Sequence, residues 1–285
     1  MDHGSTFDAL LPRQIATKAE DVGVSKANMD GPETLILSVL AGGFIALGGV
    51  FSTTVISGTA GALPFGVIRL LAGPSFCLGL ILVVVCGAEF FTGNNLLLMA
   101  FASRKVSLGK VMRNWGIVYL GNLVGAGGTA LGMALANFHT LGKGAVGKCA
   151  LDIAASKCTL GFEEAFVRGA FCNALVCLAV WMCMSCRSTG DKILAIIVPV
   201  TAFVAAGFEH SIANMYFIPF GLLVQALAGE KFWASIGAAP EVYAVITPSA
   251  FVFKNLVPVT LGNILGGGLM VGCVYWVVYC RGRAR

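Results

Sequence analysis

Two apolar segments of this chain are too long to cross a membrane as single straight helices. Segment 193–227 has about 35 residues, and a straight helix of that length extends about 52 Å, against a bilayer core of about 30 Å. It contains the polar interruption GFEHSIAN at 207–214. Segment 65–103 is also too long, and it contains the interruption CGAEFFTGNN at 86–95. The sequence therefore predicts two membrane helices, each broken where its polar residues lie.

The two interruptions share a spacing that recurs along the chain. The pattern G-x-E-x4-N begins at Gly87 and again at Gly207. The pattern LGN-x-x-G at 120–125 recurs at 261–266, and a weaker pair, GGF at 42–44 and GAF at 169–171, precedes both. This order predicts an all-α integral membrane protein with six transmembrane segments, arranged as a 3+3 inverted repeat with two broken helices. The alternative is two unrelated polar defects in a helical bundle.

Composition and charge agree with a membrane protein of the helical kind. Apolar residues make up 57% of the chain and charged residues 12%, and the mean hydropathy is +0.86. With six crossings and the N-terminus inside, twelve of the 19 Lys and Arg residues fall inside. This excess predicts that both termini are cytoplasmic. We therefore expect an N-terminal cytoplasmic region at 1–30, a transmembrane domain at 31–281 and a cytoplasmic tail at 282–285.

The N-terminal region contains a short amphipathic pattern. Residues 5–22 place Phe7, Leu10 and Ile15 on one helical face, and Lys18 and Glu20 are polar. This pattern predicts a helix that anchors the chain at the inner lipid surface or that plugs the mouth of the protein.

The sequence resembles the formate/nitrite transporter family over nearly its whole length. The residues that carry the resemblance are CGAEFFTGN at 86–94, GFEHSIANM at 207–215 and the two LGN repeats. Within the family the chain looks most like the bacterial formate channels, through FDALLP at 7–12, NALVCLAVWM at 173–182 and VPVTLGNILGGG at 257–268. The resemblance implies an aquaporin-like fold, a homopentamer with one pore per subunit, and a place in the bacterial inner membrane.

The resemblance also implies two apolar constrictions, one on each side of a central histidine. By position, the inner constriction is Leu80 with Phe76 nearby, and the outer constriction is Phe90 with Phe203. Formate channels often have Leu where this chain has Phe90, so the larger ring is expected to narrow the outer gate.

A candidate substrate path follows from the same comparison. Thr92 lies on the first break and His210 on the second, and we expect them to bind formate between the constrictions. Formate has a pKa near 4 by analogy with carboxyl side chains and is ionised at neutral pH, so proton exchange with His210 would make passage pH-dependent. The alternative is a buried His210 that only holds its loop. Lys157 is expected to attract anions to the outer mouth, or to be a solvated surface lysine.

Other polar residues of the breaks are predicted to have structural roles. A free carboxylate would repel an anion, so Glu89 and Glu209 are expected to accept backbone N–H bonds within their own loops. Asn94 and Asn214 are expected to act in the same way. Two further asparagines are expected either to bond between helices or to reach the pore wall; these are Asn173 and Asn263.

Other function classes lack the residues that they need. The sequence has no HExxH, no GxSxG and no nucleophile paired with a base, which argues against an enzyme. It has three histidines, too few on facing helices to hold haem, and no cofactor or metal is expected. The net charge of +5 is modest and does not indicate nucleic acid. Cys183-x-x-Cys186 matches a redox or metal pair in spacing alone. Within the family, nitrite and hydrosulfide remain the alternative substrates to formate.

Overall fold

The computed structural model describes residues 9–283 as a bundle of helices. Six of them are long and apolar enough to cross a membrane, namely Gly31–Ile56, Phe65–Cys86, Leu108–Leu135, Phe162–Ser185, Thr189–Ala206 and Ala250–Tyr279. The bounds are α1 Pro12–Asn28, α2 Gly31–Ile56, α3 Phe65–Cys86, α4 Leu97–Ala102, α5 Leu108–Leu135, α6 Ala145–Cys158, α7 Phe162–Ser185, α8 Thr189–Ala206, α9 Ser211–Leu227, α10 Glu230–Ile236 and α11 Ala250–Tyr279. The protein is therefore a multi-pass membrane protein, as the sequence predicts.

Both predicted breaks are present, and each begins at a glycine. Gly87 ends α3 with φ 78°, and Gly207 ends α8 with φ 74°. Residues other than glycine rarely adopt this left-handed conformation, so these positions stop the helices. After the first break the chain resumes as a 3₁₀ turn, Gly93–Leu96, and then α4. After the second break it resumes directly as α9.

The two halves of the chain have the same order of elements. A short helix, α1 or α6, precedes each half; then follow a plain span, a broken span and a second plain span. The first half comprises α2, α3 with α4, and α5, and the second comprises α7, α8 with α9, and α11. Because α3 and α8 occupy equivalent places in an inverted repeat, they run in opposite directions. We call the end of the bundle covered by α1 the α1 face, and the opposite end the α6 face.

Small residues of the LGN repeats bring the plain spans of each half into close contact. A Cβ atom added at Gly125 of α5 would overlap the carbonyl oxygen of Val39 on α2. A Cβ atom added at Gly266 of α11 would overlap the carbonyl oxygen of Ala170 on α7. The repeat therefore marks matching helix contacts in the two halves.

The helix α1 lies further along the chain than its amphipathic pattern predicts. It begins at Pro12, where the proline occupies the first turn and the Gln14 side chain accepts a hydrogen bond from the Leu11 N–H at 2.9 Å. The predicted first residues, 5–8, lie outside the described part of the chain. Ile15 is buried as expected, but Glu20, expected on the polar face, is also buried at 5% exposure.

A polar contact explains the burial of Glu20. Its carboxylate accepts hydrogen bonds from the Ser103 hydroxyl and from Lys105 Nζ at 3.0 Å. Trp276 Nε1 of α11 donates to the same Ser103 hydroxyl at 2.7 Å. Burial raises the pKa of Glu20, but the hydrogen bonds from Ser103 and Lys105 and the charge of Lys105 outweigh it, so the pKa lies below its ordinary value.

Glu20→Gln is expected to weaken the docking of α1 at neutral pH. The ionised carboxylate contributes to docking above its ordinary pKa, and this contribution is lost as the pH falls through the lowered pKa. Trypsin cleavage within α1 should become about tenfold faster in the variant, since a charged hydrogen bond is lost. Asp21→Asn is the control, because Asp21 is exposed and lies 3.5 Å from Lys105. Equal cleavage rates in the two variants would contradict this role of Glu20.

Candidate functional site

The two broken helices bring one side chain each to a common point in the interior. Thr92 Oγ1 lies 3.0 Å from His210 Nε2, although the two residues are far apart in sequence. Both side chains are buried. Thr92 precedes the 3₁₀ turn of the first break, and His210 is the N-cap of α9. The predicted pairing of the two breaks thus places a hydroxyl and an imidazole in hydrogen-bond contact.

The backbone of α9 fixes which nitrogen of His210 carries hydrogen. His210 Nδ1 accepts a hydrogen bond from the Ala213 N–H at 3.1 Å, and so caps the helix. A neutral imidazole has one N–H, which must then be at Nε2. This N–H donates to Thr92 Oγ1. Protonation of Nδ1 would break the cap, because the nitrogen cannot accept and carry hydrogen at once.

Asn122 holds the first break in place. Its Oδ1 accepts from the Phe91 N–H at 2.9 Å, and its Nδ2 donates to the carbonyl oxygens of Ser38 at 2.7 Å and Glu89 at 3.0 Å. One side chain on α5 therefore satisfies both a donor and an acceptor of the non-helical backbone and links it to α2.

Asn263 performs the same function at the second break. Its Oδ1 accepts from the Ser211 N–H at 2.9 Å, and its Nδ2 donates to the carbonyl oxygens of Gly169 at 2.8 Å and Glu209 at 3.1 Å. The asparagine of each LGN repeat thus stabilises the break of its own half. These contacts agree with the alternative in which Asn263 forms hydrogen bonds between helices.

Asn173 supports Thr92 from the side of α7. Its Nδ2 lies within hydrogen-bond distance of three acceptors: the Thr92 carbonyl oxygen at 3.1 Å, Asn95 Oδ1 at 2.9 Å and the Asn263 carbonyl oxygen at 2.7 Å. The side chain is fully buried. Asn173 therefore positions the backbone of the first break, and its amide is occupied by protein groups.

The carboxylate of Glu89 is neutralised by a lysine that the sequence analysis did not identify. Lys26 Nζ of α1 donates to Glu89 Oε1 at 2.6 Å and to Asn94 Oδ1 at 3.0 Å. Asn94 Nδ2 donates to Glu89 Oε2 at 2.7 Å and to Asn114 Oδ1 at 2.9 Å. Asn114 Nδ2 donates to the Lys26 carbonyl oxygen at 3.2 Å.

Glu209 has the equivalent arrangement on the α6 face. Lys157 Nζ of α6 donates to Glu209 Oε1 at 2.9 Å and to Oε2 at 3.1 Å. Asn214 Nδ2 donates to Glu209 Oε2 and to Asn255 Oδ1, both at 2.7 Å. Asn255 Nδ2 donates to the Lys157 carbonyl oxygen at 3.2 Å. Lys157 is therefore a partly buried ion-pair partner of Glu209, which differs from the reading of a solvated surface lysine.

These contacts differ from the predicted role of the two glutamates. Each was expected to accept backbone N–H bonds in its own loop, but each carboxylate instead binds a lysine and an asparagine side chain. The physical reason is charge, since a carboxylate at membrane depth requires a cation nearby. The internal repeat is the sequence signal that could have identified these residues. Lys26 in the first half corresponds to Lys157 in the second, and Asn114 corresponds to Asn255.

One cavity reaches His210 from the α6 face, and another reaches Phe90 from the α1 face. A cavity of about 90 Å³ on the α6 face is lined by Lys157, Phe76, Phe203 and His210. On the α1 face a cavity of about 330 Å³ is lined by residues that include Lys26 and Phe90. The side chains of Phe90 and His210 thus border the cavities of opposite faces.

The apolar side chains group differently from the prediction. Phe203 packs edge-on against Phe76, with ring centroids 5.9 Å apart, whereas Phe90 borders the cavities of the α1 face. The predicted pairing of Phe90 with Phe203 thus differs from the structure. Because α3 and α8 are antiparallel, Phe203 near the end of α8 meets Phe76 in the middle of α3. Leu80, buried one turn after Phe76, lies towards the α1 face.

Known proteins are similar to this chain in sequence and in fold. The profile of the formate/nitrite transporter family matches residues 13–277. The chain is 46% identical to the formate channel FocA of Escherichia coli K12, over 99% of this chain and 98% of that one. It is 39% identical to FocA of Haemophilus influenzae, over 93% of each chain.

Two solved structures have this arrangement of helices. A pentameric formate channel with formate bound is 43% identical and superposes with a TM-score of 0.84, covering 88% of this chain and 98% of that one. An ion channel of the same family is 28% identical, with a TM-score of 0.78 over 93% of this chain and 98% of that one. With the paired breaks and the matching sequence profile, these similarities show that the chain belongs to the formate/nitrite transporter family.

Proposed function

We propose that this protein carries formate and similar small monovalent anions across the bacterial inner membrane. The observation that supports this most directly is the Thr92–His210 pair, where two half-helices meet between cavities of opposite faces. The relatives described as formate channels support the choice of formate. Nitrite and hydrosulfide are the alternative cargoes, since both are small monovalent anions that are expected as substrates in the same family.

The path lowers the cost of moving an anion through an apolar interior. The N-terminal ends of the half-helices supply positive dipole ends near Thr92 and His210. Lys26 and Lys157 neutralise Glu89 and Glu209, so neither carboxylate repels the anion. His210 Nε2–H then donates a hydrogen bond to the anion in place of Thr92.

The protonation of the cargo makes passage pH-dependent in this proposal. Formic acid, which is neutral, crosses an apolar ring at lower cost than the ion. His210 exchanges a proton with formate only when Nδ1 releases the Ala213 N–H and takes up a proton, so that Nε2 can give one. A lower pH therefore favours passage as the acid.

The proposed assembly and orientation follow the relatives and the charge distribution. Five copies form a homopentamer, as in the pentameric formate channel, and each subunit of this protein has its own path. Both termini are cytoplasmic, so the α1 face is the inner face. Phe90 and Leu80 then lie at the inner constriction, and Phe76 and Phe203 form the outer one.

Flux into proteoliposomes tests the proposed function. Formate, nitrite, hydrosulfide, acetate and glycerol are compared at two pH values with the purified protein. We expect formate to enter faster than nitrite and hydrosulfide, and glycerol to be excluded. Passage of glycerol without anions would contradict an anion path, and faster nitrite or hydrosulfide would replace formate as the cargo.

Phe90→Leu is expected to admit larger monocarboxylates. The phenyl ring borders the α1-face cavities and leaves no room for a Cβ at Gly93, so the shorter side chain widens this constriction. Acetate flux relative to formate flux should rise about tenfold, the usual scale for removing steric exclusion in an apolar pocket. Phe51→Leu is the control, because Phe51 is exposed on α2. An unchanged ratio in Phe90→Leu would show that another residue limits cargo size.

A further inference from the structure

The lysine–glutamate centres of the two faces differ in one hydrogen bond. On the α1 face, Lys26 Nζ bridges Glu89 Oε1 and Asn94 Oδ1. On the α6 face, Lys157 Nζ instead donates hydrogen bonds to both carboxylate oxygens of Glu209. Asn214 Oδ1 is left buried, with no hydrogen-bond partner among residues 9–283.

A flip of the Asn214 amide group, which exchanges its oxygen and nitrogen, does not provide the missing hydrogen bond. Its Nδ2 donates to two acceptors, Glu209 Oε2 and Asn255 Oδ1. Asn255 is itself oriented, because its Nδ2 donates to the Lys157 carbonyl oxygen and to Glu209 Oε2. Exchange of the oxygen and nitrogen of Asn214 would place its carbonyl oxygen against two other acceptors. The free acceptor at Oδ1 is therefore a fixed property of this centre.

The α1 face shows which donor fits such an acceptor. There the equivalent oxygen, Asn94 Oδ1, accepts from the lysine ammonium at 3.0 Å while the same ammonium keeps one carboxylate oxygen at 2.6 Å. We propose that Lys157 has a second position, in which its ammonium bridges one oxygen of Glu209 and Asn214 Oδ1, and that Asn214 is thereby a positioning residue for the transported anion. This inference rests on the proposed function.

The two positions of Lys157 present different charge to the cavity. In the observed position both carboxylate oxygens compensate the ammonium, whose Nζ lies 5.6 Å from the Phe217 ring centroid. In the second position a neutral amide oxygen replaces one of the two carboxylate oxygens. The positive charge is then less compensated, and it attracts an anion more strongly in a medium of low dielectric constant.

The location of this centre connects it to transport. Lys157 and Asn214 line the 90 Å³ cavity that also contains His210, Phe76 and Phe203. An anion that enters this cavity supplies the acceptor for the third N–H of the ammonium. Because the ammonium is less compensated in the second position, entry of the anion favours that position, and the free oxygen of Asn214 gains its missing donor at the same time. Lys26 already has both acceptors, so the α1 face has no equivalent change.

Two substitutions at Asn214 separate positioning from a purely structural role. Asn214→Ser keeps a neutral oxygen acceptor for Lys157 without adding charge beside Glu209, whereas Asn214→Leu removes the acceptor; both lose the Nδ2 donor to Glu209 and Asn255. Formate influx into oriented proteoliposomes gives KM and maximal flux for each. We expect Asn214→Leu to raise KM at the α6 face about tenfold, and Asn214→Ser to stay within about threefold of the natural chain, because only the first loses the acceptor. Equal KM values in the two variants would overturn the proposal.

Asn255→Leu is the matched control. It disturbs the same network by removing the Asn255 donors and one partner of Asn214 Nδ2, but it leaves Asn214 Oδ1 in place. We expect lower thermal stability with KM within about threefold of the natural chain. A tenfold rise in KM here would mean that any disturbance of the network weakens binding, which would also overturn the proposal.

A structure of the natural chain provides the test if the variants do not fold. Electron cryomicroscopy with and without saturating formate locates Lys157 Nζ in each state. We expect Nζ within hydrogen-bond distance of Asn214 Oδ1 when formate is present, and an unchanged Lys26. Lys157 bound to both Glu209 oxygens in the two maps would refute the second position. Failure of the natural chain to carry formate would instead refute the proposed function.

Discussion

His210→Phe is expected to reduce formate flux about 100-fold or more. The substitution removes the Nε2–H donor at the centre of the path, so the anion meets only the Thr92 hydroxyl between the two apolar regions. Loss of a hydrogen bond to a charged group inside a protein costs about 3 kcal/mol at the upper end, which corresponds to a factor of more than 100. Flux of radiolabelled formate into proteoliposomes measures the effect.

His210→Asn distinguishes the roles of the two imidazole nitrogens. Asparagine is a good N-cap, so it replaces Nδ1 as the acceptor for the Ala213 N–H. It cannot exchange protons near neutral pH. We expect a folded protein with reduced flux and without the pH dependence of the natural chain. Unchanged pH dependence in this variant would contradict proton exchange at His210 and would favour the alternative in which the residue only holds its loop.

Gly125→Leu is expected to prevent correct folding of the first half. A Cβ atom at this position overlaps the carbonyl oxygen of Val39, and backbone atoms of α2 cannot move aside as a flexible side chain can. Overpacking of this kind costs about 3 kcal/mol or more, because α2 and α5 must separate along their contact. Size-exclusion chromatography in detergent and the thermal unfolding midpoint measure the loss.

Gly128→Leu is the matched control on the same helix. A Cβ at Gly128 has no atom within 4 Å, so the same change of residue adds bulk in open space. We expect this variant to fold like the natural chain and to elute from the size-exclusion column as a single symmetric peak. If both variants fold equally well, the close contact of α2 with α5 does not limit stability.

The sequence alone determined the architecture because membrane helices obey simple rules. Length relative to the bilayer exposed the two broken spans, and Gly87 and Gly207 stop the helices where the polar interruptions predicted. The spacing of the LGN repeats predicted equivalent halves, and Asn122 and Asn263 make the same three hydrogen bonds in each. These features depend on local composition and on spacing along the chain, so they can be read without coordinates.

Only the tertiary structure decided which side chains meet. The sequence placed Phe90 with Phe203, but antiparallel packing of α3 and α8 groups Phe203 with Phe76. It treated Glu20 as a surface residue, although contacts with a distant loop bury it. The sequence did not predict a role for Lys26, yet this lysine forms an ion pair with Glu89, which lies 63 residues further along the chain. Contacts of this kind arise from the crossing of helices that are distant in sequence, and neither hydropathy nor periodicity records them.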